Sequence, residues 1–551
     1  MPSLLLVADI LLGGIGLFLV KHLFFSNKSK ANAKGAAGSL PPGPTPRPLI
    51  GNLLDLPPAG QQEWIHWAKH KALYGPLSSI TVFGQHIVII NDAQIAFDLF
   101  EKRSAIYSDR PTLVFGGEMC GWENTLAMQH YSPRFRAYRK NIYQLMGSKN
   151  AINKFNPLIE EETRRTLIRI VEDPQQLMGH IRTQAGAIIL KMSHGYSIER
   201  SYRGARDPLV DLADEALVQF SLAATPGAWL VDVIPILRSL PSWIPGTAFQ
   251  RTAFRWKRTL MELAEKPHAF VKAQMSQHAG TPSYTSLLLE SFNKDFADQP
   301  QEVRDEEEYV IKWSAASMYS GGADTTVSAN YSFFLAMTMY PEVFAKAQAE
   351  VDSVLGNSGE GAERLPTFED RPRMPYVEAL LKEVLRWNPV GPMGLPHVTT
   401  EDDVYMGYKI PKGAILQANI WQFTHDPEAF HDPFVFKPER FLGDKPEFDT
   451  HGLSFGFGRR ICPGKELADA SMFMFIATCL AVLDIRKARD DNGQVVEPVY
   501  QYTPGIISHP MEFKCSIRPR SERAAAIIKH VEDEHPFAKS DADAIAQLKW
   551  E

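Results

Sequence analysis

Phe455-Gly-Phe-Gly-Arg-Arg-Ile-Cys462-Pro-Gly464 holds one cysteine among glycines, two residues after an arginine, and a long apolar run follows at once. A cysteine binds metal as the thiolate, so such a site must favour the charged form. Pro463 suits a first helical position. Lys465 to Leu483 contains neither proline nor glycine and reads as a buried helix. Cys462 is thereby expected at a helix N-terminus, where free N–H groups and the positive dipole end face the sulfur. Gly456 and Gly458 permit a tight turn close to a flat ligand, and Gly464 lets the helix lie near it. Arg460 brings a fork of donors suited to a carboxylate. An ordinary core thiol, the usual fate of a free cysteine, needs none of these neighbours.

Other patterns stand upstream. Val303 to Tyr340 carries no proline, and Pro341 closes it, which is long for a globular helix. Its middle reads Gly321-Gly-Ala-Asp324-Thr325-Thr326. Each glycine costs a helix roughly 1 kcal/mol relative to alanine. Threonines bond back to carbonyls one turn earlier, so a functional kink is expected. Glu383 and Arg386 are spaced i, i+3 and meet on one helix face. Phe436-Lys-Pro-Glu-Arg440-Phe441 follows. From His397 to Gly413, alternation and turn residues read as a small hairpin.

These motifs resemble those of the cytochrome P-450 family of haem-thiolate monooxygenases. The wording of Pro226-Gly-Ala-Trp-Leu-Val-Asp232 and Gly505-Ile-Ile-Ser-His-Pro510 resembles membrane-anchored fungal members that oxidise secondary metabolites or xenobiotics. The resemblance implies a mostly α fold with small β-sheets, one large triangular domain and a long kinked helix over the haem. It implies haem b with Cys462 as the axial iron ligand, framed by Phe455, Gly456 and Gly464. Arg460, Arg139 and His397 would bind the propionates. Thr325 and Asp324 would be catalytic, the first holding water or oxygen and the second relaying protons. Glu383, Arg386 and Arg440 would form a buried supporting network. Phe135 stands where the family has tryptophan, and it lacks an indole N–H to donate.

The implied activity inserts one oxygen atom from O2 into a hydrophobic small molecule, by hydroxylation or epoxidation of a terpenoid, steroid, aromatic or similar compound. Electrons would come from NADPH through a separate NADPH–cytochrome P-450 reductase, with cytochrome b5 as a further partner. Substrate contacts would come from residues 112–128, 219–245, 314–325, 390–395 and 502–507. The alternative is a haem-thiolate isomerase or dehydratase acting without a reductase, a class that often lacks the Asp–Thr pair present here. A non-catalytic haem sensor is a third reading.

Leu4 to Phe25 is mostly apolar, and about 20 such residues span a bilayer. Asp9 interrupts the run. No basic segment precedes it and no small-residue cleavage site follows, so an uncleaved single-pass anchor is expected, with an interfacial helix as the other option. Lys28, Lys30 and Lys34 follow, and no acidic residue occurs between Asp9 and Asp55. Positive charge keeps the bulk of the chain cytosolic, here on the endoplasmic reticulum membrane. The expected organisation is an anchor over 1–26, a basic linker and proline-rich hinge over 27–52, a catalytic domain over 53–518 and a charged tail over 519–551, helical or disordered. With 58 basic against 64 acidic residues the net charge is −6, and nothing points to nucleic acid. Cys120, Cys462, Cys479 and Cys515 show no disulfide or zinc spacing, which fits a reducing cytosol.

Overall fold

Helices in this chain begin where the sequence supplies a cap. In the computed structural model, Ser132 accepts from the Phe135 N–H, and Pro133 opens the helix behind it. Asp207 accepts from the Leu209 and Val210 N–H groups ahead of Pro208, and Ser283 and Ser286 form a capping box. The structure describes residues 38–548 apart from 59, 200–205, 226, 242, 279, 357, 358 and 360. The expected anchor over 1–26 lies outside these residues. Among the described residues no helix is long and apolar enough to cross a membrane.

The helices that position the site are α1 (Glu63–Tyr74), α2 (Pro133–Met146), α3 (Asn156–Glu172), α4 (Leu177–His194), α5 (Pro208–Ala223) and α6 (Ala248–Ser276). They continue as α7 (Tyr284–Asp295), α8 (Gln301–Gly322), α9 (Thr325–Met339), α10 (Pro341–Leu355), α11 (Pro375–Trp387), α12 (Lys465–Val482), α13 (Glu522–Glu534) and α14 (Ala542–Gln547). Among the described residues the fold is mostly helical with three small sheets, as the resemblance implies. In the largest, β1 (Leu77–Val82) pairs antiparallel with β2 (Gln85–Ile90). Downstream strands complete the three sheets: β3 (His397–Val398), β4 (Asp403–Tyr405), β5 (Tyr408–Ile410), β6 (Ile415–Ala418), β7 (Leu483–Lys487) and β8 (Cys515–Pro519). The large sheet has the order β1-β2-β6-β3, with β2 and β6 parallel and His397 opposite Leu416. The expected hairpin is β4–β5.

α8 is enclosed by α2, α4, α6 and α7, and α9 packs on α12. From Val327 to Thr338 every residue of α9 is buried, as is every residue from Ala470 to Val482 in α12. Helices apolar all round belong in a core of this size. The expected kink is a full break: α8 ends at Gly322, Ala323 caps it, and Asp324 leaves helical geometry at φ −132, ψ −27.

Two terminal segments are pinned down. The proline-rich hinge lies along β1: Ser79 N–H donates to Pro42 O at 2.9 Å, and Asn52 N–H to Thr81 O at 2.6 Å. Behind β8, the tail forms α13 against α3 and α14 against α6. Arg165 reaches the carbonyls of His535 and Pro536, and Phe537 sits under Arg165 and Arg169. Asp541 and Ser197 exchange two hydrogen bonds, at 2.8 and 3.0 Å.

Candidate active site around Cys462

The loop before α12 is shaped by its glycines. Gly458 has φ +51, and a Cβ there would lie 2.2 Å from Phe100 O. Only glycine fits both demands. Phe455 O accepts from the Cys462 N–H at 2.8 Å and closes the turn. Helix α12 starts at Lys465, with Gly464 as its N-cap. Pro463 therefore lies in the turn and not at the first helical position, because Cys462 and Pro463 complete the loop. The sulfur still has the expected neighbours. Burial pushes the Cys462 thiol up, against a pull down from the Gly464 N–H, Arg139 and Lys465. Cys462 has exposed surface, unlike buried Cys120 and Cys479.

His451 ties this loop to α12. Its imidazole lies 2.9 Å from Asp449 and 3.1 Å from Asp469, and its ring stacks near Phe455. Burial alone would depress the imidazole, but the bonds to Asp449 and Asp469 outweigh it and carry it up to about 9. Folded His451 thus holds its proton more tightly than the unfolded chain. The stabilisation is full below the ordinary value of 6.5 and is lost as pH rises through about 9. His451→Gln is expected to remove about 1–2 kcal/mol of this pH-dependent stability. Denaturation midpoints measured from pH 6 to 9.5 check this: wild type should fall relative to the variant as pH rises.

Beside Cys462 stands a cluster of arginines. Arg139 donates to Ile461 O, in the Cys462 loop. Arg460 donates to Ser108 O at 2.6 Å and to Gln129 O at 2.9 Å, and its guanidinium lies 3.9 Å over the Phe135 ring. Phe135 thus supplies a π face where an indole would have donated. Arg110, in a position the sequence did not flag, donates to Ala127, Leu395 and Pro396 carbonyls. Burial, followed by repulsion within the cluster, pulls Arg110 well below its usual range and Arg460 down to about 10. The carboxylate that offsets these two charges is Asp109, 3.9 Å from Arg460.

His397 departs from the basic residue expected. Its Nδ1 is 2.6 Å from Tyr107 O, and Phe100 stacks on it at 4.2 Å. Burial and Arg110 hold it neutral. Its proton therefore sits on Nδ1 and Nε2 is an acceptor.

These residues fit the haem that the resemblance implies. Arg460 Nη1 is buried without a partner, and the buried guanidiniums of Arg110 and Arg460, with half-buried Arg139 beside them, face too little negative charge. Two propionate carboxylates would supply both the acceptor and the charge.

On α8 and α9, a Cβ on Gly321 would meet nothing within 4 Å, so the helix end borders open space. Thr325 Oγ1 donates to Gly321 O at 2.9 Å across the break. Asp324 points elsewhere: Oδ2 lies 2.9 Å from His509 Nε2, and Oδ1 3.6 Å from Arg182 Nη2. Burial alone would raise the Asp324 carboxyl, but His509 and Arg182 hold it below its usual value.

The segments expected to contact substrate converge here. Leu126 N–H donates to Ser317 Oγ at 2.9 Å, and Gly116 approaches Ala223 O closely. Gly505 lies against Ser221, and Gly391 against Ile506 O. The loop around Phe115 is also tied to residues 229–238. Trp229 stacks on Phe115 at 3.6 Å, Asp232 accepts from the Phe115 N–H at 2.8 Å, and Glu118 pairs with Arg238.

The supporting network forms as expected. Glu383 binds Arg386 at 2.7 Å and Arg440 at 3.1 Å, with all three side chains buried. Arg386 also donates to the Thr424, Pro433 and Val435 carbonyls.

Sequence reasoning did not single out Arg110 or Arg182, which no short motif marks, and Asp232 was visible only at the end of the quoted Pro226–Asp232 wording. His509 was visible only within the quoted Gly505–Pro510 wording. Its role depends on which helix its loop meets.

A family model described as cytochrome P450 matches residues 41–512. The chain is 47% identical over 98% of its length to cytochrome P450 monooxygenase claR of Ampulloclitocybe clavipes, covering 96% of that protein. It is 48% identical to cytochrome P450 monooxygenase 208 of Postia placenta, covering 96% of this chain and 98% of that one. O-methylsterigmatocystin oxidoreductase of Aspergillus flavus is 41% identical, with coverage of 92% and 93%.

Proposed function

Because this chain belongs to the cytochrome P450 family and is a haem-thiolate monooxygenase, we propose that it inserts one oxygen atom from O2 into a hydrophobic small molecule by hydroxylation or epoxidation. Cys462 would hold the haem, which when bound would supply oxygen activation helped by the thiolate's electron density. The observation that carries this reading is an exposed Cys462 at the end of a glycine-shaped loop together with an intact Asp324–Thr325 break. Arg139 and Arg460 would orient the propionate edge, His397 stays fixed against Tyr107 O and Phe100, and Phe455, Gly456 and Gly464 shape the cysteine side.

Thr325 Oγ1 gives its proton to Gly321 O, so its lone pairs are free to accept from water or from oxygen-bound hydrogen. Asp324, turned toward His509 and Arg182, would relay protons toward it. The converging segments around Phe115, Ser221, Gly391 and Ile506 exclude water and hold an apolar substrate. Terpenoids, steroids and aromatics fit this description, and the fungal relatives support a place in secondary metabolism.

Electrons come from NADPH through a separate reductase, with cytochrome b5 as a second donor. The chain works at the endoplasmic reticulum membrane, with residues 4–25 as anchor. Exposed Leu230, Ile236, Trp243 and Phe254 offer a second apolar surface to the bilayer.

The test is reconstitution with NADPH–cytochrome P-450 reductase and a panel of such substrates, read by product mass. Turnover without reductase and NADPH overturns the reading. Thr325→Ala is expected to keep the haem and its stability. Product formed per NADPH should fall about tenfold, with peroxide appearing in its place. A peroxide assay beside NADPH consumption measures this.

A further inference from the structure

Asp324 has two carboxylate oxygens in different situations. Oδ2 is occupied by His509 Nε2 at 2.9 Å. Oδ1 is buried without a hydrogen-bond partner and faces the Arg182 guanidinium at 3.6 Å, beyond hydrogen-bond reach. Asp324 also lines a small cavity of about 10 Å³, shared with Arg182, Asp214, Tyr319 and Ala323. That is near the lower limit for one water molecule. Asp214 connects it outward, lying 3.1 Å from Arg182 and 3.3 Å from half-exposed Arg206.

We propose that His509 is a positioning residue for proton delivery: it occupies Oδ2 of Asp324 and thereby leaves Oδ1 to exchange protons through the cavity between α4, α5 and α8. This rests on the reading of Asp324–Thr325 given above and goes one residue further. His509 is itself held firmly. Its N–H donates to Thr503 Oγ1 at 3.0 Å, and its carbonyl accepts from the Thr503 N–H at 2.8 Å. The neighbouring Ser508 carbonyl accepts from Ser328 Oγ at 2.6 Å, and its N–H reaches Val390 O at 2.9 Å. The loop is therefore fastened both to α9 and to the 390–395 segment. With Nε2 meeting Asp324, the other ring nitrogen is buried and without a partner. The ring aims one nitrogen at one oxygen. Movement of the 502–507 segment would be felt at Asp324 through this bond.

The experiment uses the full chain with haem and reductase, and compares wild type, His509→Phe, His509→Gln and Asp324→Asn. His509→Phe removes the donor, whereas His509→Gln keeps an N–H at similar reach. Expected are an unchanged thiolate-type spectrum and a roughly tenfold loss of product per NADPH in His509→Phe. His509→Gln should recover at least about half of that loss, because a donor still meets Oδ2. The second readout is nuclear magnetic resonance of the reduced, carbon-monoxide-bound protein. A low-field imidazole N–H resonance should be present in wild type and absent in both His509→Gln and Asp324→Asn. Full coupling in His509→Phe while Asp324→Asn is impaired overturns the role of His509 alone. Full coupling in Asp324→Asn overturns the acid–alcohol reading beneath it. Should His509→Phe fail to hold haem, His509→Gln and the resonance decide: an N–H signal indifferent to Asp324→Asn refutes the bond.

Discussion

Cys462→Ser is expected to remove the thiolate-type Soret band of the reduced, carbon-monoxide-bound protein and to lower turnover by at least about a thousandfold, roughly 4 kcal/mol of barrier. A serine hydroxyl stays neutral where burial already pushes the far more acidic thiol up. The Gly464 N–H, Arg139 and Lys465 favour an anion at this position, and iron binding deprotonates a thiol outright. Oxygen in place of sulfur removes the soft, electron-rich ligand on which O–O cleavage depends. Cys462 has open surface, so the exchange removes little packing. The unfolding free energy without haem should change by no more than about 0.5 kcal/mol. Spectra, turnover and denaturation on one preparation separate a chemical loss from a structural one. A thiolate band surviving in Cys462→Ser would move the ligand to another cysteine. Cys120 and Cys515 are poor substitutes, since burial drives each thiol up to about 12.

Glu383→Ala is expected to destabilise the fold by about 3–5 kcal/mol, the cost of leaving buried guanidiniums without their carboxylate. Arg386 is wholly enclosed and Arg440 almost so, and Glu383 answers both. Its Oε1 also accepts from the Lys437 N–H at 2.6 Å, which anchors the turn before Pro438. Against a total stability of about 5–15 kcal/mol, such a loss brings the protein close to unfolding at growth temperature. Denaturant titration and haem retention measure it. Glu383→Gln keeps an acceptor but not the charge and should fall between. A Glu383→Ala variant as stable as wild type would show the network to be dispensable.

Much of the centre of this protein was legible from chemistry that is local in sequence. The Phe455–Gly464 loop, the Gly321–Thr326 stretch and the Glu383–Arg386 pair each act over a few residues; the pair meets as expected, while the expected kink is a full break. The start of α12 was misplaced by two residues because Pro463 favours a first helical turn, while closing the loop between Cys462 and Phe455 O needs it outside. His397 was read as basic because sequence does not reveal burial, and burial beside Arg110 makes it neutral. Arg110, Arg182, Asp232 and His509 gain their roles from partners more than 15 residues away, as in the bond from Phe115 to Asp232 and that from His509 to Asp324. No periodicity or spacing encodes such meetings.

The docked tail has a practical consequence for building a single-chain enzyme. Ile545 is buried in the same apolar cluster as α8, and α14 rests on α6. A flavoprotein fused behind Leu548 would therefore begin beside α6 and not beside the Cys462 loop. Half the circumference of a domain this size is on the order of 90 Å, or about 30 fully extended residues. Shorter tethers would either hold the electron donor out of reach or peel Asp541 and Phe537 from their seats, so tether length becomes a design variable with a threshold.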